Sequence, residues 1–333
     1  MPSGETRAIV PAGQTIAEIG EFAMVEAITA RLGTTPAVLL GPGDDAAVLA
    51  CPDGRVVATT DLLIENRHFR RAWSSAYDVG RKAAAQNLAD VIAMGAAPTG
   101  LLVAVAVPGE LEVTWALELT DGLRDEAAIV GAVLVGGDLT RSDLVVISVT
   151  ALGDLGGAPP ITRAGARVGD VVAVCGRLGW AEAGRAVLAR GFRSPRAVVT
   201  AHQRPEPPYD AAPEARRLGA HALLDVSDGL VQDLGHVATA SAVTIDLDGS
   251  ALEPDQPVRD VGAALGQDPL TFVLSGGEDH ALAACFPSGA VLPARWKVVG
   301  RVLAGDPGVT LDGAPYEGSG GWDHFRELPV KNG

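Results

Sequence analysis

The stretch Gly41-Pro-Gly-Asp-Asp-Ala46 has the glycine spacing of a dinucleotide-binding turn, G-x-G-x-x-A, but carries two carboxylates where a pyrophosphate would have to approach. Repulsion between those charges and a phosphate argues against a doubly wound dinucleotide fold. Four further acidic clusters lie outward from it: Thr59-Thr60-Asp61, Asn87-Leu-Ala-Asp90, Gly136-Gly-Asp138 and Asp225-Val-Ser-Asp228-Gly229. The apolar runs around them place 41–45 before a strand, 59–61 and 136–138 at strand ends, 87–90 late in a helix, and 225–229 between a strand and a helix. Any one of these is an ordinary solvated carboxylate or a Gly-Asp turn. Their repetition at element ends, beside Gly, Ser and Thr, points beyond turn chemistry.

Carboxylates gathered in one place repel one another and call for a neutralising cation. Oxygen ligands with hydroxyls, and without paired Cys or His, select magnesium, which usually bridges substrate phosphates. Phosphoryl transfer is the chemistry that follows. Ser227 is placed to cap the helix after it, whose first amides would face a phosphate. Arg163, after Thr162 in a Gly/Arg-rich loop, is either an ATP contact or a surface arginine. There is no G-x-x-x-x-G-K-[ST], G-x-S-x-G or H-E-x-x-H in the chain, which removes the P-loop, serine-hydrolase and zincin readings.

In 333 residues, 26 Lys+Arg against 41 Asp+Glu leave a net charge of −15, which disfavours nucleic acid as a partner. Cys51, Cys175 and Cys285 form neither a disulfide framework nor a zinc motif, and the start lacks a signal-peptide pattern, so a cytoplasmic protein is expected. Residues 91–109 are uncharged but broken by Gly95, Pro98, Gly100 and Pro108, and read as a helix end, a turn and a buried strand rather than a membrane span. Strands are expected at 56–60, 101–107, 132–135, 144–152 and 171–175, and helices at 18–31, 75–94, 112–130 and 181–190. The mixture resumes at 222–226, 229–241, 243–247, 272–274 and 281–286. Pro205, Pro207, Pro208 and Pro213 mark an irregular connection, and the tail carrying Trp322 and Phe325 is expected to dock on the body. The Gly/Pro-rich stretch 153–160 is the best boundary, dividing the chain at 1–155 and 156–333.

Taken in order, Gly-Pro-Gly-Asp-Asp-Ala (41–46), Thr-Thr-Asp-Leu-Leu (59–63), Asn66 to Phe69, Lys82 to Gly95, Gly-Gly-Asp (136–138), Ile-Thr-Arg-Ala-Gly-Ala (161–166), Leu-Asp-Val-Ser-Asp-Gly-Leu (224–230) and Leu-Ser-Gly-Gly-Glu-Asp-His (274–280) resemble the bacterial thiamine-monophosphate kinases. That family belongs to the superfamily of aminoimidazole ribotide synthetase and selenophosphate synthetase. The resemblance runs from Gly20 to Phe325 and departs from the family at Ala89, Val226 and His280. It implies an α+β, two-domain aminoimidazole ribotide synthetase-like fold with mixed sheets packed with helices. The N-terminal domain would bind ATP and metal and pair its sheet with a second subunit's; the C-terminal α+β domain would help close the site.

The implied reaction converts ATP and thiamine monophosphate to ADP and thiamine diphosphate. Carried over by motif, Asp45, Thr59, Thr60, Asp61, Asp90, Asp138, Asp225 and Asp228 become ligands of several Mg²⁺ ions. Gly137, Asp138, Arg163 and Ser227 become ATP contacts, and His68, Glu278 and Trp322 acceptor contacts. A phosphate acceptor with a second pKa of about 6 is already anionic, so no general base is assigned. The resemblance also implies a homodimer, and no nucleic-acid or membrane partner is expected. Two rivals stand beside this reading: another ATP-using enzyme of the superfamily, and a catalytically silent nucleotide- and metal-binding regulator.

Overall fold

The computed structural model describes residues 13–42, 46–318 and 320–322. The chain divides into two compact units. One continues to Ile161 and takes back Gln203–Pro213; the other holds Thr162–His202 and the described chain from Glu214 onward. The proline-rich connection read at 205–213 thus belongs to the first unit. It is fastened there by Gln203 donating to the Trp73 carbonyl, by Arg204 with Asp78 at 3.0 Å, and by the Tyr209 hydroxyl donating to Glu126 at 2.6 Å.

The first unit contains α1 (Ile16–Ile19), α2 (Glu21–Thr29), β1 (Val38–Leu40), β2 (Val48–Leu49), β3 (Val57–Ile64), α3 (Ala76–Ala93), β4 (Ala97–Val107), α4 (Val113–Ile129), β5 (Val133–Arg141) and β6 (Val146–Asp154). The single helix expected over 18–31 is split, because Gly20 at φ 80° closes α1 before Glu21 opens α2. The main sheet has the order β3-β6-β4-β5, with β4 and β5 parallel and the other pairs antiparallel. Along β6, Ile147, Val149 and Ala151 point into a core shared with Val79, Ala83, Leu88 and Leu119 of α3 and α4. The helices approach closely: a Cβ on Gly80 or Gly122 would lie 2.1 Å from a backbone oxygen of the other helix.

The acidic motifs 59–61 and 136–138 lie inside strands rather than at their ends, since β3 runs on to Ile64 and β5 to Arg141. Both are edge strands, where polar side chains in mid-strand keep access to water.

The second unit contains β7 (Val171–Cys175), α5 (Trp180–Ala189), α6 (Arg196–Gln203), α7 (Ala211–Arg217), β8 (Ala222–Val226), α8 (Leu230–Ser241), β9 (Thr244–Leu247), α9 (Gln256–Leu265), α10 (Pro269–Ser275), β10 (Ala281–Phe286), β11 (Lys297–Leu303), β12 (Gly308–Leu311) and β13 (Ala314–Pro315). Helices α6 and α7 straddle the two crossings between units. The seven-stranded sheet has the order β13-β12-β9-β11-β7-β10-β8 and is mixed, since β9 and β12 are parallel. Strands β8 and β10 are buried along their whole length, so they read as continuous apolar runs. The run 272–274 is helical, and β11 at 297–303 is a strand that the sequence reading does not anticipate.

Candidate active site

In the first unit, β3 presents Thr59 and Asp61 to α3. The Thr59 hydroxyl donates to Asp90 Oδ2 at 2.8 Å, and the Asn87 side-chain oxygen accepts from the backbone N–H of Asp61 at 3.0 Å. Asn87 and Asp90 are one helical turn apart, so one face of α3 meets one face of β3. Thr60 lies on the other face, accepting from Thr150 at 3.1 Å. Asp138 shares that face, in the row Leu62, Ser148, Ala104, Asp138 across four strands. Three strand spacings of about 4.8 Å put it roughly 14 Å from the β3 row, on the side away from Asp61. One ion therefore cannot take both Asp61 and Asp138 of one chain. At Gly137, a Cβ would lie 1.9 Å from the Val103 carbonyl oxygen, so strand packing alone requires glycine there.

After β3 the chain turns through Asn66 at φ 67°. The ring Nδ1 of His68 accepts from the Ile64 N–H at 2.9 Å, which puts the ring proton on Nε2. Buried Lys82 of α3 donates to the His68 carbonyl at 3.2 Å and supports that loop.

The second unit builds its part around the turn from β8 to α8. Asp225, buried in β8, lies 3.0 Å from His280 Nδ1. Ser227 does not cap α8: the cap position is Gly229, with no side-chain hydrogen bond. The amides of Ser227, Asp228 and Gly229 instead donate to Asp233 Oδ2 at 3.0, 3.0 and 3.1 Å. They are thus engaged by an internal carboxylate rather than turned toward a phosphate, which corrects the expectation for this turn. Burial pushes the Asp233 carboxyl up to about 7; the amide of Asp228 opposes the shift, and the charges of Asp225 and Asp228 add to it.

The segment 276–280 is tied to the same turn. Glu278 N–H donates to the Ser227 carbonyl at 2.7 Å, and His280 N–H to that of Val226 at 3.0 Å. Glu278 (φ 68°) and His280 (φ 53°) are both left-handed, a costly conformation for non-glycine residues that the surrounding hydrogen bonds enforce. Trp322 joins through its backbone, its N–H donating to the Asp228 carbonyl at 2.9 Å and its carbonyl accepting from the Gln232 side chain at 2.8 Å. Ser227, Asp228, Glu278 and Trp322 thus meet at one turn.

A search with family models matches residues 43–155 to the AIR synthase related protein, N-terminal domain. A thiamine-monophosphate kinase of Mycobacterium tuberculosis is 46% identical over 314 residues, covering 94% of this chain and 94% of that protein. The chain belongs to the thiamine-monophosphate kinase family. The crystal structure of the thiamine-monophosphate kinase from Stenotrophomonas maltophilia superposes with a TM-score of 0.79 at 33% identity, covering 89% of this chain and 98% of that one. The structure described as AaThiL complexed with AMPPCP and TMP superposes at 0.77 with 31% identity, covering 95% and 100%. Both also establish the α+β fold of mixed sheets packed with helices.

Against the site residues that the kinase family implies, three observations stand out. Asp45 lies outside the described residues. Arg163 is held at the far end of α8, where the Ser241 hydroxyl donates to its carbonyl at 2.8 Å. Its backbone is therefore a helix length, about 17 Å, from the Ser227 turn within the unit. Third, among the described residues no three His, Cys, Asp or Glu side chains converge closely enough to hold one metal ion. Asn87, Lys82, Asp233 and His280 are the residues the sequence reading leaves out of the site; Lys82, Asn87 and His280 lie inside quoted motifs, but only their contacts reveal a role.

Asp279 yields a pH prediction. It is buried, with Oδ1 accepting from Ala181 N–H at 2.8 Å at the start of α5 and Oδ2 without a hydrogen-bond partner among the described residues. Burial pushes its carboxyl from 3.8 up to about 7, against the opposing pull of the Ala181 and Gly179 amides. The folded chain therefore holds this proton more tightly than the unfolded chain, and the resulting stability is complete below about pH 4 and lost as pH rises through about 7. Asp279→Asn does not titrate, so its Tm relative to wild type is expected to rise by several degrees between pH 5 and pH 9. A difference independent of pH would place the ordinary carboxylate value at this position.

Proposed function

We propose that this chain transfers the γ-phosphoryl group of ATP to thiamine monophosphate, giving ADP and thiamine diphosphate by direct in-line attack. What carries the reading is the convergence of Ser227, Asp228, Glu278 and Trp322 on one turn, in a chain 31% identical to a protein complexed with AMPPCP and TMP. The donor chemistry fits magnesium: Thr59, Asp61 and Asp90 offer hard oxygens on one face, and the charges of Asp225 and Asp228 add to the burial that raises Asp233. Thr59, Asp61 and Asp90 of the first unit and, separately, Asp225 and Asp228 of the second would hold Mg²⁺ ions; Thr60 and Asp138, on the opposite sheet face and a sheet width apart, would serve others, and Asp45 is assigned by motif alone. When bound, the ion would supply positive charge between acceptor phosphate and triphosphate, the chemistry an in-line transfer needs. The residues' own tasks are to position and to exclude: Gly137 in the first unit and Ser227 in the second are each assigned to the nucleotide by motif, and His68 would offer its Nε2 proton to the acceptor. No side chain abstracts a proton, because the attacking oxygen is already anionic. The net charge of −15 suits a small-molecule substrate rather than nucleic acid, and the scattered cysteines suit the cytoplasm. Among the described residues no helix is long and apolar enough to cross a membrane.

The test is ADP release with Mg²⁺ and stoichiometric thiamine diphosphate, both dependent on thiamine monophosphate. Release indifferent to that acceptor would sink the reading, and nucleotide binding without turnover would favour a silent regulator.

The open face of the β3-β6-β4-β5 sheet carries exposed Ala58, Thr60, Leu62, Leu102 and Ala104, with Leu62 47% and Leu102 38% exposed. Small and apolar side chains on a sheet face suit a second sheet, and we assign the homodimer contact to this face. Sedimentation at micromolar concentration is expected to give twice the chain mass; a 34.0 kDa particle would overturn the assignment.

Trp322 is assigned to the cationic thiazolium of the acceptor, where an indole face contributes about 0.5–2 kcal/mol. Because backbone groups make the hydrogen bonds that fasten 320–322, Trp322→Ala keeps them. It is expected to raise KM for thiamine monophosphate several-fold at nearly unchanged ATP affinity and Tm. Earlier melting with an unchanged acceptor KM would make the ring a structural anchor.

A further inference from the structure

We propose that His202 is a positioning residue that orients the Glu278 carboxylate and so sets specificity for the acceptor, an inference that rests on the reading of Glu278 as an acceptor contact. His202 lies at the end of α6, only 4% exposed, with Nδ1 3.3 Å from Glu278 Oε2, while the Glu278 side chain remains 33% exposed. A buried ring thus faces the inner side of a carboxylate that solvent, and therefore a ligand, can reach.

The surroundings leave that ring little freedom. A Cβ on Gly184 of α5 would lie 2.1 Å from the Val198 carbonyl oxygen and 2.9 Å from the His202 Cβ, so α5 and α6 touch at backbone distance beside it. On α5, Arg185 is held by both oxygens of Glu182 at 2.6 Å each. The charge of Glu278 adds to the forces keeping that guanidinium protonated, so a cation acts on Glu278 from the neighbouring helix.

Glu278 is also fixed from its backbone, by its left-handed φ of 68° and by the 2.7 Å bond to the Ser227 carbonyl. The backbone bond fixes the residue, and the imidazole at 3.3 Å and the charge of Arg185 flank the carboxylate before any ligand arrives. The acceptor carries an amino group on a pyrimidine and a cationic ring, both of which an oriented carboxylate recognises. A glutamate that must be ordered on each binding event gives up affinity, roughly two- to tenfold in KM. In this arrangement the His202 ring faces the carboxylate, Nδ1 standing 3.3 Å from Oε2 without the geometry of a hydrogen bond among the described residues, so its part is to limit where the carboxylate can swing.

Steady-state KM values for thiamine monophosphate and for ATP, measured on Glu278→Gln, His202→Leu, His202→Asn and the Glu278→Gln/His202→Leu double variant, test this. His202→Leu is expected to raise the acceptor KM about fivefold and the ATP KM less than twofold, with kcat changing less than KM. His202→Asn, which keeps a polar group near the Nδ1 position, is expected to restore the acceptor KM to within about twofold. In the Glu278→Gln background, His202→Leu is expected to add nothing. An undiminished His202→Leu effect in that background, equal shifts of both KM values, or no shift at all would overturn the proposal while leaving Glu278 as an acceptor contact. An unchanged acceptor KM in Glu278→Gln alone would overturn the reading of Glu278, and this proposal with it. Should His202→Leu fail to fold, His202→Gln, whose polar group sits away from the Nδ1 position, carries the same comparison.

Discussion

Asp61→Asn is expected to lower kcat by two to three orders of magnitude while the melting transition stays in place. The size follows from what a preorganised charge is worth where a transition state accumulates negative charge, about 3–4 kcal/mol per group removed. Asp61 sits mid-strand in β3 beside Thr59, whose hydroxyl bonds Asp90, and its backbone N–H is held by Asn87. The substitution leaves both of those hydrogen bonds intact and removes only the charge. Turnover at saturating Mg²⁺, ATP and thiamine monophosphate, with a thermal melt as control, checks it. A variant within a few-fold of wild type would reduce Asp61 to a solvated strand carboxylate.

Asp233→Ala is expected to damage both stability and activity. All three amides of the Ser227 turn donate to the same oxygen, Oδ2, so the other oxygen can carry a proton without disturbing them. At pH 6, below the value of about 7 for this carboxyl, no buried charge offsets the loss. Three hydrogen bonds at about 1 kcal/mol each then give a destabilisation of about 3 kcal/mol by chemical denaturation. Because the turn presents Ser227 and Asp228, kcat/KM for ATP is expected to fall at least tenfold. Asp233→Asn keeps an acceptor oxygen in place and should preserve most of both. Equal losses in the two variants would falsify the account, since the charge rather than the acceptor oxygen would then be what the turn requires.

How far the site was legible depended on the kind of signal. Motif order was sufficient to pick out the second-unit cluster, because Asp225, Ser227, Asp228 and Glu278 lie in two short segments joined by backbone hydrogen bonds. The same order points to Ser227 as the cap of α8, whereas the Asp233 carboxylate, one turn into the helix, takes the amides that a cap would satisfy. His202 carries no motif at all: its relation to Glu278 spans 76 residues and exists only because α6 packs on α5 at Gly184.

By itself the sequence determined what local chemistry controls: alternating apolar runs that make mixed sheets with helices, hard-oxygen donors at several separate places, and the family to which their order belongs. It also determined that 91–109 could not be a membrane helix, because its glycines and prolines break it between α3 and β4. Only the tertiary structure decided which of those donors meet. Strand register puts Asp61 and Asp138 on opposite faces and opposite edges of one sheet, although both follow a hydroxyl or glycine in a strand. Helix length separates Arg163 from Ser227 in the same way. The physical reason is that side-chain direction in a strand alternates residue by residue, while position across a sheet is set by partner strands distant in sequence, whose order no local pattern records.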